Sequence, residues 1–305
     1  MSTKRISLVL GSGGARGLAH IGAIRCLEEH GYEITYISGC SIGALVGGIY
    51  AAGELETYAD WVCALERRDV VRLLDWSFSR GAIFSGERVI NVLEDIVGKR
   101  SIEDLEIGFT AVATEINDKR EVWLNRGSLF EAIRASIAMP LIFPPVERGE
   151  LVLVDGGLVN PVPIAPTLND NTAVTIAIDL NGRAERLEAA DEGKEMEAKE
   201  GPIALKERIS KFIDELIPRT ARQEAGPPGA IELALRSMDT MQSTIARMKL
   251  AAYSPRLTIE IPRNLCTFLE FHRAAELIEF GYRRTEQSLE SSGLLSESTG
   301  RRECE

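Results

Sequence analysis

Basic charge is in short supply in this sequence: 35 Lys and Arg face 46 Asp and Glu, for a formal net charge of −11. A protein that follows nucleic-acid phosphates carries a basic stripe, and none is present, so nucleic acid is not an expected partner. General adsorption to anionic lipid is disfavoured for the same reason, which leaves only a local patch to do it. No uninterrupted apolar run reaches the roughly 18 residues of a membrane-crossing helix. The first apolar run, ISLVL at 6–10, gives way at once to glycines and is too short for a signal-peptide core. The five cysteines (Cys26, Cys40, Cys63, Cys266, Cys304) are odd in number and show no C-x-x-C spacing. Neither a disulfide framework nor a zinc site is expected, and reduced thiols fit a cytoplasmic protein. Histidine is scarcest of all, with His20, His30 and His272 only.

What is present is an ordinary globular composition, 45% hydrophobic and 27% charged. The chain opens as strand (6–10), glycine loop, helix (18–30), strand (34–38), glycine turn and apolar helix (42–52). That alternation predicts an α/β sheet of mostly parallel strands. Helices are expected over 55–68, 86–97 and 128–138, and strands over 109–114, 120–125, 151–157 and 173–180. Residues 183–200 and 218–229 carry charge, proline and glycine with few large apolar side chains, and read as loop or linker. A long helix (231–252), a strand (256–262) and a second long helix (267–291) follow, with a frayed tail from Ser292. In the first of these helices Ile231, Leu235, Met238, Met241, Ile245 and Met248 recur at helical spacing and are expected to pack in the core. The division that follows is a core at 1–182, a loop or flap at 183–230, and a helix–strand–helix at 231–305 packing on the core.

Two glycine-rich turns carry chemistry. GSGGARG at 11–17 follows the first strand. A dinucleotide fingerprint would need a third glycine where Arg16 stands, and a phosphate-binding loop of the G-K-[ST] type lacks its lysine. An anion cradle of backbone N–H groups at a helix N-terminus remains open, as does a plain tight turn. GCSIG at 39–43 matches G-x-S-x-G, with Ser41 at a strand-to-helix elbow and Gly39 and Gly43 relieving the turn. A plain helix cap by Ser41 is the alternative. Cys40 lies before the apex and reads as a buried thiol.

A histidine base for Ser41 has no good candidate. His272 is the one histidine after it, in the charged stretch FLEFHRAAELIEF. His20 reads as a packing or capping residue, and His30 as a helix-end cation. Asp155 needs no histidine: it ends the apolar strand LVLV and precedes Gly156 and Gly157. A carboxylate there could accept the serine proton if held within hydrogen-bond reach.

In this order, GSGGARG, GCSIG and DGG (155–157) resemble the signatures of the patatin-like phospholipases, in particular the bacterial branch related to neuropathy target esterase. Stretches 132–146, 156–164 and 269–278 extend the likeness over most of the chain. The resemblance implies a three-layer α/β/α sandwich with a C-terminal helical extension, and a Ser41–Asp155 dyad. It implies an oxyanion hole from the backbone of Gly13, Gly14 and Ala15, with Gly11, Arg16, Gly17, Gly39, Ile42, Gly43, Gly156 and Gly157 in support. Arg16 is expected to steady its loop in preference to binding a head group. The implied activity is acyl-ester hydrolysis of phospholipid or lysophospholipid, with no metal or other cofactor. The implied partner is a membrane or micelle surface, touched transiently. No oligomeric state follows. A binding or scaffold protein that keeps the fold is the rival from another class, and a nucleotide binder using the 11–17 loop is a second.

Overall fold

Strand β1 (Lys4–Leu10) has Ile6, Leu8, Val9 and Leu10 all inaccessible to solvent, as a strand covered on both faces requires. It lies inside an eight-stranded sheet in a computed structural model that describes residues 4–75, 82–170, 172, 174–186 and 229–294. Most of the flap expected at 183–230, and the tail beyond Leu294, lie outside the described residues.

The remaining strands are β2 (Tyr32–Cys40), β3 (Gly108–Glu115), β4 (Arg120–Leu124), β5 (Val146–Arg148), β6 (Leu151–Asp155), β7 (Thr175–Gly182) and β8 (Leu257–Pro262). Their order is β5–β6–β3–β2–β1–β7–β8, with β4 paired to β3 outside that path. Strands β3, β2, β1, β7 and β8 run parallel, whereas β4, β5 and β6 join by antiparallel pairing. The short β5 had no signal in the sequence; β6 supplies the pairing that makes it a strand.

The helices are α1 (Ala19–Glu29), α2 (Ile42–Ala51), α3 (Leu55–Cys63), α4 (Arg67–Leu73), α5 (Glu87–Val97), α6 (Leu129–Ser136), α7 (Ala230–Tyr253) and α8 (Ala274–Ser291). Side chains alternate across a strand, and the two faces of β1 show what covers each. Leu8 and Leu10 join one large core with α1, α2, α3, α5, α6 and α8. Val9 points the other way, into a smaller cluster with Ala177, Val162, Ile164 and Ala246 of α7. The result is the expected α/β/α sandwich, with β8 extending the sheet and α8 resting on α1.

Two boundaries and one buried face differ from expectation. The helix read over 55–68 breaks into α3 and α4, because Glu66 and Asp69 form a reciprocal capping box that starts a new helix. The helix read from 267 begins at Ala274, since Glu270 accepts the Thr267 N–H and holds the chain in turns until then. In α7 the expected core stripe divides: Leu235 and Met238 pack against the small buried cluster of Phe84, Met139 and Ile142, whereas Met241 and Met248 are 54% and 67% exposed. The buried residues of α7 are Gln242, Ser243 and Ala246. That face of the sheet offers Val9 and Ala177 to a helix that brings small and polar groups of its own.

One detail of register sets up the site. Strand β4 covers Ala111–Glu115 on one edge of β3, which leaves β2 and β6 to share the other edge. They run toward each other along it: β2 ends with Cys40 opposite Val112, and β6 ends with Asp155 opposite Ala113. The two strand ends therefore meet beside adjacent residues of β3.

Candidate active site

Ser41 follows directly from Cys40 at the end of β2 and precedes the first turn of α2. Its backbone is forced into φ 56°, ψ −125°, a conformation that costs a non-glycine residue about 1–3 kcal/mol. The turn is held by Ser136, whose Oγ accepts the Ser41 N–H at 2.9 Å and donates to the Val112 carbonyl at 2.6 Å. Gly43 must lack a side chain, because a Cβ there would lie 2.1 Å from the Leu10 carbonyl oxygen.

The elbow turns the Ser41 hydroxyl toward Asp155. Ser41 Oγ donates to Asp155 Oδ2 at 2.5 Å, within the range of a hydroxyl bonded to a charged carboxylate. The other oxygen, Oδ1, accepts the Gly157 N–H at 2.7 Å. Asp155 is 1% exposed, and burial pushes its pKa up to about 6 against the opposing pull of those two hydrogen bonds. Cys40 Sγ lies 4.0 Å from Oδ1; burial, with Asp155 and Glu121 nearby, raises its pKa well above the ordinary thiol value, so it stays a thiol.

The 11–17 loop lies over the start of α2. A Cβ on Gly17 would fall 2.2 Å from the Ile42 side chain. Gly14 adopts φ +57°, and a Cβ there would meet the Phe268 ring at 2.4 Å. Within the loop the N–H groups divide. Gly11 donates to Ile178, Ser12 to Pro161, and Ala15 to the Phe268 carbonyl at 2.9 Å. Ala15, expected as an oxyanion donor, is thus already engaged by a carbonyl from the C-terminal region. The N–H groups of Gly13 and Gly14 have no acceptor among the described residues. Arg16 is buried and tied down, Nη1 donating to the Arg263 carbonyl at 2.6 Å and Nη2 pairing with Asp239 at 3.1 Å.

No histidine bonds to Ser41 or Asp155 among the described residues. His20 Nε2 is 2.9 Å from the Gly11 carbonyl, and complete burial lowers its pKa to about 4. His30 bonds the Cys26 carbonyl, and His272 is half-buried in the turn that precedes α8. No group of three or more His, Cys, Asp or Glu among the described residues is arranged to hold a metal ion.

Ser41, Gly14 and Ile42 open on a cavity of about 120 Å³. Leu45, Val89, Leu93, Phe143 and Phe268 are among its walls, and the polar groups of its described lining are the Ser41 hydroxyl, the Tyr58 phenol and the Trp61 indole.

The sequence pattern of the patatin-like phospholipases matches residues 8–168. An NTE family protein from Mycobacterium bovis is 39% identical over 95% of this chain and 92% of its own length. The chain belongs to the patatin-like phospholipase family. Neuropathy target esterase of Drosophila melanogaster is 34% identical over 58% of this chain, a match that spans 13% of that larger protein. The crystal structure of VipD from Legionella pneumophila aligns with a TM-score of 0.48 and 14% identity over 96% of this chain and 67% of that one. Membership supports lipid acyl hydrolysis in general, with lipid as substrate. Among the described residues no helix is long and apolar enough to cross a membrane.

Two polar residues beside the site escaped the sequence reading. Ser136 sits in a stretch noted for its helical pattern and its family likeness, and its bond to the Ser41 N–H joins residues from different halves of the site. Gln242 sits in a helix read for its apolar stripe.

Proposed function

We propose that this protein hydrolyses acyl esters of phospholipids or lysophospholipids, with Ser41 as nucleophile and Asp155 as base. The observation that carries this reading is the 2.5 Å hydrogen bond from Ser41 Oγ to a buried carboxylate, at the end of an apolar cavity. The acyl chain lies in the cavity and its carbonyl carbon meets Ser41 Oγ. As the C–O bond forms, the serine proton passes to Asp155 Oδ2, and the carbonyl oxygen becomes an alkoxide facing the N–H groups of Gly13 and Gly14. Preorganised donors of this kind are each typically worth about 2.7–4 kcal/mol to the transition state. Collapse of the tetrahedral intermediate breaks the ester C–O bond, and Asp155 returns the proton to the departing alcohol. Water then attacks the acyl-enzyme as Asp155 takes its proton, and the fatty acid leaves with Ser41 restored. Arg16 keeps the loop in place through Asp239 and Arg263 and does not contact a head group in this scheme. The enzyme works from the cytoplasmic side and meets its lipid surface transiently.

The test is a panel of phospholipids and lysophospholipids read by lipid mass spectrometry, together with labelling of the folded protein by a fluorophosphonate. Fatty acid release with a label on Ser41 is the expected result. Folded protein that takes no label and releases no fatty acid would favour a binding role instead.

Two outcomes follow from the geometry. The base must be ionised to act, so kcat/KM is expected to fall as pH drops through about 6, the pKa of buried Asp155. A pH–rate profile with no acid limb between pH 5 and 7 would contradict that role. Val89 lies on the cavity wall. Val89→Phe is expected to shift the preferred acyl chain to shorter lengths, by about tenfold in the ratio of long to short, since apolar pockets discriminate by about 1–3 kcal/mol per methylene. An unchanged chain-length profile would place the acyl chain elsewhere.

A further inference from the structure

Helix α7 reaches the site through a face no motif includes. Asp239 pairs with Arg16 of the glycine loop, and three residues on, Gln242 turns toward the loop and the base. Gln242 is 5% exposed. Its Oε1 accepts weakly from Ser12 Oγ, at 3.4 Å, while its buried Nε2 has no hydrogen-bond partner among the described residues. A buried amide N–H without an acceptor is penalised, so its surroundings point to a role.

Those surroundings centre on Gly157. A Cβ built there would lie 2.9 Å from Gln242 Nε2, 3.0 Å from Asp155 Oδ1 and 3.0 Å from Ser12 Oγ. The three polar atoms ring one spot that a side chain at 157 would fill. Asp155 Oδ1 is the charged acceptor among them, and among the described residues it accepts the Gly157 N–H at 2.7 Å and only a long contact, 4.0 Å, from the weakly donating Cys40 thiol.

We propose that Gln242 is a positioning residue for the base, its Nε2–H held ready for the outer carboxylate oxygen of Asp155 across the gap that Gly157 leaves open. This rests on the reading of Asp155 as the base. Ser41 and the Gly157 N–H then hold the two oxygens, and Gln242 adds a donor to the outer one when the carboxylate is charged. A donor to the charged form favours that form. Gln242 therefore opposes the effect of burial and keeps the base ionised near neutral pH.

The other groups facing Asp155 leave this role to Gln242. From β2 comes the Cys40 thiol, held un-ionised. Glu121 of β4 is paired with Lys249 of α7 at 3.7 Å and accepts from Asn160, on the chain after β6. Arg16 of the loop is paired with Asp239 of α7, and Asp179 of β7 accepts from Asn181. The causes that move the Asp155 pKa are burial, Ser41 and Gly157, with no neighbouring charge among them.

Two variants test the idea by different chemistry. Gln242→Leu removes the donor, and Gly157→Ala keeps it but wedges a methyl between donor and carboxylate. Gly157 has no positive φ, so alanine suits its backbone. Both are expected to move the acid limb of kcat/KM upward by about half to one pH unit. A lower plateau with the limb unmoved in both is what a merely structural role gives, and it overturns the proposal. A shift in only one variant also overturns it, since both changes break the same interaction. The Asp155 carboxyl is then titrated by ¹³C NMR in a Ser41→Ala background, with and without each change. That readout needs no turnover, so it separates failure of the Gln242 role from failure of the Ser41–Asp155 mechanism. An Asp155 titration that Gln242→Leu leaves unmoved overturns the proposal even if the dyad stands.

Discussion

Ser41→Ala is expected to lower ester turnover by at least about a thousandfold while leaving the fold intact. A nucleophile that forms the covalent intermediate has no substitute within reach. Cys40 is the neighbouring nucleophilic atom, and it is buried and held as a thiol beside Asp155 Oδ1. Alanine also accepts no more strain than serine at φ 56°, and it leaves the Ser136 bond to the backbone N–H in place. The substitution removes the 2.5 Å hydrogen bond to Asp155, at a cost of about 1–3 kcal/mol for a buried pair. Activity of purified variant and native protein should be compared on the same lysophospholipid, with circular dichroism confirming the fold. Turnover within tenfold of native would remove Ser41 from the chemistry.

Asp155→Asn has a different pair of consequences, and the second is the less expected. Turnover should again drop by about a thousandfold or more, because an amide cannot take the serine proton. Stability should rise. The native pKa of about 6 stands above the ordinary carboxylate value of 3.8, because ionising a fully buried group is unfavourable. A shift of that size corresponds to about 3 kcal/mol. The sign follows from proton binding. The folded chain holds this proton more tightly than the unfolded chain does. The group's contribution is therefore full below pH about 4 and is lost as pH rises through about 6. Asparagine carries no such penalty, and its amide oxygen can still accept the Gly157 N–H while its NH₂ faces Ser41 Oγ. The variant should gain up to about 3 kcal/mol over native at pH 8, with the gain shrinking toward pH 4. Urea unfolding of both proteins at pH 5 and pH 8 measures it. A difference that does not change with pH would show that Asp155 is not the strained carboxylate described.

What the sequence discloses about this molecule depends on how far apart the causes lie. The elbow at Gly39–Gly43 is written locally: a glycine on each side of Ser41, a strand before it and an apolar helix after it. The buried strands β1 and β7 are legible for the same reason, as short apolar runs. Asp155 was legible as an acid at a strand end beside glycines. Contacts between distant segments are another matter. Ala15 has an N–H suited to an oxyanion until the Phe268 carbonyl, far along the chain, accepts it. The stripe in α7 has helical spacing, but the sheet meets that helix with its polar and small side, so Met241 and Met248 face solvent. Gln242 and Ser136 were hidden because a polar side chain reads as surface unless its partner is known. Both partners lie in segments more than ninety residues away.

The opposed approach of β2 and β6 along a single edge of β3 makes that strand a ruler. Cys40 lies opposite Val112 and Asp155 opposite Ala113, so one peptide unit of β3 fixes the distance between hydroxyl and carboxylate. Inserting one residue between Val112 and Ala113 would lengthen that spacing by about 3.3 Å and pull the pair out of bonding range. In the proposed mechanism, neither partner residue need be touched for the reaction to stop. The tolerance of the chemistry is thereby set in a strand that supplies none of its reacting atoms.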